Sequence, residues 1–242
     1  DENMSIREFQ TDEQVLTVAF VREFFQNALD AILDKTKKVR VRIRLVKLTN
    51  DEDKKYIENT YKDASDLLRA SGTFPIENHQ YLVIEEFNTI GLTGTDKFKP
   101  LEEELSMSHW SNFSFGMLRQ SKEKDSGGRN GVGKIMLNLL SGLRTVFYKT
   151  KRSDDGQDWI GGRMEFNAST ELGEGSDRTR YSNWAWLSPY EGADVNNLSG
   201  AEKLSKLYKP TITKDHLDEV DRIFGIQRNA DEYGTSWIIP SP

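Results

Sequence analysis

The chain contains 242 residues with a formal net charge of -6 and no cysteine. Hydrophobic residues make up 36% and charged residues 30%, which favours a globular protein with a buried core over a disordered chain. The lack of cysteine excludes disulfides and thiolate metal sites and fits a cytoplasmic location. No apolar run approaches the roughly 18 residues of a membrane span, and the acidic start does not look like a signal peptide, so we expect no membrane partner.

The first third of the chain alternates helix and strand patterns. Residues 12–35 contain no Gly or Pro and predict a long amphipathic helix. Residues 37–48 alternate basic and apolar side chains, which predicts a strand with one buried face. The basic face of that strand is either solvated or a contact for nucleic acid. A polar segment near 50–72 follows with a helical pattern and is interpreted as an insertion, and residues 80–87 predict a second strand.

The rest of the chain adds further short elements in irregular order. Helices are predicted at 134–142 and 213–225, and strands at 143–150, 161–166, 180–186 and 234–240. Because helices and strands do not follow a regular βαβ succession, we predict an α+β fold. Its expected form is a two-layer sandwich with helices on one face of a mixed, mostly antiparallel sheet.

A cluster of glycines stands out at residues 127–133, directly before Lys134. The spacing from Gly128 to Lys134 approaches a P-loop, but Ile135 stands where the hydroxyl that holds Mg²⁺ is required. Glycines allow close backbone approach, and a helix beginning near Val132 would direct free N–H groups at an anion. The alternative is a plain glycine-rich turn before a helix.

The first predicted helix carries a polar stripe made of Glu23, Asn27 and Asp30. Their spacing of i, i+4 and i+7 places them within roughly 60° of arc on a helix. Taken alone, such a stripe is the solvated face of an amphipathic helix. The order of this stripe and two later segments of the chain suggests a functional role as well.

The order of three segments resembles the GHKL superfamily of ATPases, which includes DNA gyrase B, the heat-shock chaperone of that group, histidine kinases and MutL. The segments are "EFFQNALDA", "EEFNTIGLTG" and "GRNGVGK", beginning at residues 23, 85 and 128. A Gly-Thr pair at 234–235 is similar to the last nucleotide-contacting threonine of the family. The resemblance implies a Bergerat fold with ATP and Mg²⁺ as ligands.

The resemblance also implies an organisation and roles for the helix residues. Residues 1–242 would form a single ATP-binding domain with an ATP lid near 92–130, as the N-terminal part of a longer protein. Glu23 matches the general base that orients the attacking water, which is the main task left to a protein in phosphoryl transfer. Asn27 matches the amide that completes the Mg²⁺ shell, and Asp30 matches a carboxylate that reaches the base through water.

The lid and the last strand supply the remaining implied contacts. The phosphate cradle and hinge correspond to the glycine segment, with the contacting residues Gly128, Gly131, Val132, Gly133 and Lys134. Ser121 and Lys122 would meet the γ-phosphate, an assignment that rests on their position and on the lysine charge. Thr235 matches the family's late threonine.

The second segment departs from the family pattern D-x-G-x-G. Glu86 stands at the position of the aspartate that accepts from the adenine amino group, and Asn88 stands at the first glycine. Gly91 aligns only if one extra residue is allowed. Glutamate can still accept this hydrogen bond, although its carboxylate lies one methylene further out. Asparagine tolerates positive φ better than other non-glycine residues, so we expect the turn to survive.

These features predict a Mg²⁺-dependent ATPase that hydrolyses slowly and drives a conformational change in a larger machine. A non-hydrolysing nucleotide sensor is the alternative. A histidine-kinase catalytic domain is a third option, which Glu23 disfavours because such kinases usually lack the water-activating glutamate. A domain beyond Pro242 or a partner subunit would supply a further lysine, and a nucleotide-dependent homodimer is one arrangement. The segments look most like those of bacterial multidomain ATP-binding proteins, some of them defence-associated.

Overall fold

The computed structural model describes residues 13–70, 78–97, 108–115, 137–166, 171–173, 175–181, 184–187 and 209–242. The α-helices with defined bounds are α1 (Glu13–Asp30), α2 (Asp51–Thr60), α3 (Ser65–Ala70), α4 (His109–Phe115) and α5 (Lys214–Phe224). The strands are β1 (Arg40–Lys47), β2 (Gln80–Phe87), β3 (Thr145–Lys151), β4 (Asp158–Glu165), β5 (Glu171–Leu172), β6 (Thr179–Arg180), β7 (Trp184–Leu187) and β8 (Gly234–Pro240). Short 3₁₀ turns span Lys62–Ala64 and Gly175–Asp177.

Six of the strands form one open sheet in the order β1-β2-β8-β3-β4-β7. Each neighbouring pair is antiparallel, so the sheet described here is antiparallel throughout rather than mixed. The last strand of the chain lies between β2 and β3, and Trp237 is opposite Ile84 on one side and Tyr148 on the other. The α+β class predicted from the sequence is therefore confirmed, while strands β5 and β6 form a separate small hairpin.

The helices pack against both faces of this sheet, so the prediction of helices on one face is wrong. Successive side chains of a strand point to opposite faces. On one side, Ile84 and Trp237 pack with α1 and α4. On the other side, Val83 and Ile238 pack with α2, α3 and α5. We call these the α1 face and the α5 face. Two sets of amphipathic helices need two apolar surfaces against which to pack, and the two faces of the sheet supply them.

The α5 face is built around aromatic contacts between helices and sheet. Tyr81 of β2 meets Phe224 of α5 with ring centroids 5.1 Å apart, and Tyr61 meets Phe147 of β3 at 5.6 Å. Gly225 ends α5 in the left-handed conformation, with φ of 60°, and its N–H donates to Asp221 O. The segment 50–72, expected to be an insertion, therefore supplies part of this second layer through α2 and α3.

The α1 face has a second aromatic core. Phe113 of α4 lies 4.7 Å from Trp237 and 4.9 Å from Tyr148, measured between ring centroids. Phe20 and Phe24 attach α1 to the same cluster. The sequence did not predict α4, because its apolar residues are too few to show a helical period. Within the described residues, no helix is long and apolar enough to cross a membrane.

Candidate functional site

The end of α1 is joined directly to the loop that follows β2. The Ile90 N–H donates to Ala31 O at 2.9 Å, and the Leu33 N–H donates to Asn88 O at 3.0 Å. These bonds take the backbone after Asp30 out of the helical ladder, which is why α1 stops there and not at residue 35 as predicted. They also bring the first and second predicted segments together, as a composite site requires.

Asn88 adopts the backbone conformation that the sequence predicted for it, with φ of 63°. Its side chain is used within the fold. Oδ1 accepts from the Asp34 N–H at 3.1 Å, while Nδ2 donates to Asp34 O at 2.9 Å and to Lys37 O at 3.0 Å. Asn88 therefore fastens the turn between α1 and β1. A direct contact of this side chain with a nucleotide stays a prediction.

Gly91 lies at a point where the loop touches the end of β3. Its φ is 71°, and a Cβ placed on it would lie 2.6 Å from Lys151 O and 2.7 Å from Thr150 Oγ1. The next residue, Leu92, donates its N–H to Thr150 Oγ1 at 2.8 Å. Only glycine fits this approach without moving the strand, which supports its place in the loop pattern.

Glu86 lies near the end of β2 on the α1 face, and its side chain is buried. The register of β2 and β8 pairs Glu85 with Ser236, which places Thr235 beside Glu86 on the neighbouring strand. Burial raises the pKa of Glu86 to about 7, while the Arg228 charge and the nearby Thr235 and Trp237 groups lower it. Glu86, which the sequence assigned to adenine, and Thr235, which it assigned to a nucleotide contact, are therefore neighbours in the fold.

One buried polar atom near Glu86, Thr89 Oγ1, has no hydrogen-bond partner within the part of the chain that is described. The Trp237 side chain faces the Glu86 carboxyl and lowers its pKa. The Thr235 hydroxyl also has a neighbour, because it lies 3.1 Å from Thr150 Oγ1. A buried polar atom without a partner is costly. A polar ligand that satisfies Thr89 Oγ1 is therefore compatible with this corner of the α1 face.

The polar stripe of α1 borders the buried seam formed by Phe24 and Ala28. Glu23 is half-buried, whereas Asn27 and Asp30 are exposed. Asp30 Oδ1 accepts from Gln26 Nε2 at 2.8 Å, so this carboxylate is held along the helix surface. The stripe therefore lies at the edge of the helices on the α1 face, where a bound molecule could reach it.

No group of three or more His, Cys, Asp or Glu side chains that could hold a metal ion occurs among the described residues. This does not conflict with the predicted Mg²⁺ contact of Asn27, since Mg²⁺ in nucleotide sites usually takes few protein ligands and keeps phosphates and water. Asn27 is an exposed residue, and its amide oxygen is chemically suited to that task. One side-chain oxygen alone would hold such an ion weakly without a phosphate ligand.

The predicted phosphate segment lies outside the described residues. This applies to Ser121, Lys122, Gly128, Gly131, Val132, Gly133 and Lys134. Of the predicted lid, only 92–97 and 108–115 are described. The part of the site that can be placed therefore consists of the α1 stripe, the loop from Asn88 to Gly91, and the Glu86–Thr235 pair.

Arg163 is a residue that the sequence analysis did not single out. It is fully buried on the α1 face, and burial lowers its pKa to about 10. Its Nη1 donates to Phe113 O at 2.6 Å and its Nε to Asn138 Oδ1 at 3.0 Å. The guanidinium thus ties together the described residues on either side of the glycine segment. A lone arginine beside two glycines in the predicted strand 161–166 was the only available signal.

The basic face of β1 lies on the α5 face and is largely engaged within the protein. Arg42 binds the buried Glu85 carboxylate through two bonds of 2.7 and 2.8 Å, and Arg44 binds the same carboxylate at 3.0 Å. Arg40 pairs with Glu232 at 2.6 Å. These ion pairs account for the alternating basic pattern without nucleic acid, and a contact with nucleic acid stays an untested alternative.

Comparison of the chain with protein-family models, with curated proteins and with solved structures gives no match.

Proposed function

We propose that this chain binds ATP with Mg²⁺ on the α1 face and hydrolyses it slowly, driving a conformational change in a larger assembly. The observation that carries the proposal is the meeting of three separate segments on one face. The α1 stripe, the positive-φ loop from Asn88 to Gly91 and the Glu86–Thr235 pair come from distant parts of the sequence. We further propose that the fold is a Bergerat-type fold whose sheet is covered on its second face by α2, α3 and α5.

Glu86 and Thr235 form the proposed adenine contact. The exocyclic amino group of adenine is a donor, and the Glu86 carboxyl oxygens are acceptors held in a buried position. The Thr235 hydroxyl can accept or donate. The unpartnered Thr89 Oγ1 supports a polar ligand here, because its burial is otherwise uncompensated.

The α1 stripe would face the phosphates. Asn27 would hold Mg²⁺, which when bound neutralises phosphate charge. Glu23 orients and deprotonates the attacking water as general base, a role that depends on the position of its carboxylate. Asp30 lies one turn further along the same stripe, where it can bind water between the helix and the base.

The experiment that tests this proposal is calorimetric titration of the chain with ATP and with GTP in the presence of Mg²⁺. We expect ATP to bind more tightly than GTP, because a carboxylate acceptor suits an amino group and not a carbonyl. Glu86→Ala should weaken ATP binding by about 1–3 kcal/mol, the cost of an unpaired buried donor. The matched control is Glu52→Ala, an exposed glutamate on α2 across the sheet. Equal ATP affinity in both variants would overturn the adenine assignment.

A non-hydrolysing nucleotide sensor is the second candidate and shares the same binding residues. Release of inorganic phosphate by the wild-type chain and by Glu23→Ala distinguishes the two functions. A measurable rate that Glu23→Ala abolishes supports the ATPase, and binding with no release from either protein supports the sensor. Autophosphorylation with labelled ATP tests the histidine-kinase option. A further domain, a partner subunit or a homodimer would be the element that responds to the nucleotide.

A further inference from the structure

A cavity of about 270 Å³ opens on the α5 face, on the side of the sheet opposite the proposed nucleotide site. Its floor is formed by the side chains of Phe147, Ile160, Leu187 and Ile238, which come from four different strands. Helices α2 and α5 form its walls, with Val220 among the contributing side chains. None of these residues belongs to the site described above.

The size of the cavity defines the size of a ligand. A dry cavity of about 150 Å³ is known to take a benzene molecule. By proportion, about 270 Å³ accommodates roughly ten to twelve non-hydrogen atoms, which corresponds to one substituted aromatic ring. A mostly apolar lining with a few polar groups is typical of small-molecule sites.

The charge of the lining restricts the ligand further. Lys149 lines the cavity and is buried, and its Nζ donates to Asp221 Oδ2 at 2.6 Å. The pair already balances one positive with one negative charge. A charged ligand would place an unbalanced charge beside it in a poorly solvated space, which is costly. The lining therefore favours an uncharged ligand.

Polar side chains at the rim can bind a hydrogen-bonding substituent. Asn59 supplies an amide, Thr211 a hydroxyl and His216 an imidazole. The His216 ring uses Nδ1 for a 2.7 Å contact with Thr213 Oγ1, so Nε2 is the ring nitrogen available to a ligand. Donors and acceptors are both present, which suits an amide or a hydroxyl group.

We propose that this cavity is a second binding site, for an uncharged aromatic compound that carries one amide or hydroxyl group. Its ring lies on the apolar floor of the sheet and its polar group meets the rim. The site does not depend on the proposed ATPase function, and either can fail without the other.

The test uses cinnamamide and cinnamate, two compounds of nearly equal shape and of the expected size that differ in charge. The protein is labelled at Ile, Leu and Val methyl groups and titrated at neutral pH while methyl NMR spectra are recorded. With cinnamamide we expect saturable shifts at the methyl groups of Ile160, Leu187 and Ile238. Cinnamate should bind at least about tenfold more weakly, a difference of about 1.4 kcal/mol.

Two variants establish the location of binding. Val220→Trp fills the cavity from α5, and Asn59→Trp covers its rim from the exposed side of α2. Each should reduce cinnamamide affinity at least tenfold, and Asn59→Trp remains informative if Val220→Trp does not fold. The matched control is Ile212→Trp, at an exposed residue that does not line the cavity. The proposal is overturned if cinnamamide shifts none of the cavity methyl groups up to its solubility. It is also overturned if both cavity variants bind like the control or if cinnamate binds as tightly as the amide.

Discussion

Replacement of Glu86 by glutamine should make the protein progressively more stable relative to wild type as the pH rises. Glutamine preserves the volume of a protonated glutamate and carries no charge. Burial raises the pKa of Glu86 from an ordinary 4.5 to about 7 in the folded protein. The folded state therefore holds this proton over a pH range in which the unfolded chain has released it.

The sign and size of the effect follow from that difference. Between pH 4.5 and about 7 the folded state binds more protons than the unfolded state, so the free energy of unfolding falls as pH rises. The shift from 4.5 to about 7 corresponds to a total on the order of 3 kcal/mol, at about 1.4 kcal/mol for each pH unit. This penalty is absent below pH 4.5 and complete above pH 7.

The assay is urea denaturation of the wild-type protein and Glu86→Gln at several pH values from 4.5 to 8. We expect the variant to gain on the order of 3 kcal/mol relative to wild type across this range, whatever constant offset separates the two at low pH. Glu52→Gln, at an exposed position, is the control and should show little change. A stability difference for Glu86→Gln that stays constant from pH 4.5 to 8 would refute the argument that burial dominates at this carboxyl.

Three further predictions concern the loop and the α1 stripe. Glu23→Ala should abolish ATP hydrolysis in a phosphate-release assay yet leave ATP affinity within a few-fold, because a general base acts on the transition state; hydrolysis at the wild-type rate contradicts the assignment. Asn27→Ala should weaken ATP binding measured with Mg²⁺ and not with EDTA; equal affinity under both conditions in both proteins removes Asn27 from the metal site. Gly91→Ala should destabilise the protein in urea denaturation by more than the roughly 1 kcal/mol of a positive-φ alanine. Gly156→Ala is its control, since Gly156 also has φ of 71° but nothing within 4 Å of a Cβ. Equal losses of stability in the two glycine variants would show that the close contact with Lys151 O adds nothing to the destabilisation.

The local sequence pattern was sufficient to predict those elements and backbone conformations that depend on short-range interactions. Strands β2 and β8 have the predicted bounds, because each is a short apolar run enclosed by polar or turn-forming residues. Helix α1 follows from its periodicity and its lack of Gly and Pro. The positive φ of Asn88 was also predictable, because it depends mainly on the intrinsic preference of asparagine in a turn.

Tertiary structure decided the features that depend on which surfaces meet. Glu85 and Glu86 are adjacent and chemically alike, yet one is neutralised by Arg42 and Arg44 on the α5 face while the other lies beside Thr235 on the α1 face. An amphipathic pattern indicates that a helix buries one side, but it does not indicate against which face of a sheet. The end of α1 at Asp30 and the burial of Arg163 likewise depend on partners far along the chain. These features could not be predicted for the same physical reason. Backbone pairing and charge compensation between distant segments leave no recognisable pattern in either segment alone.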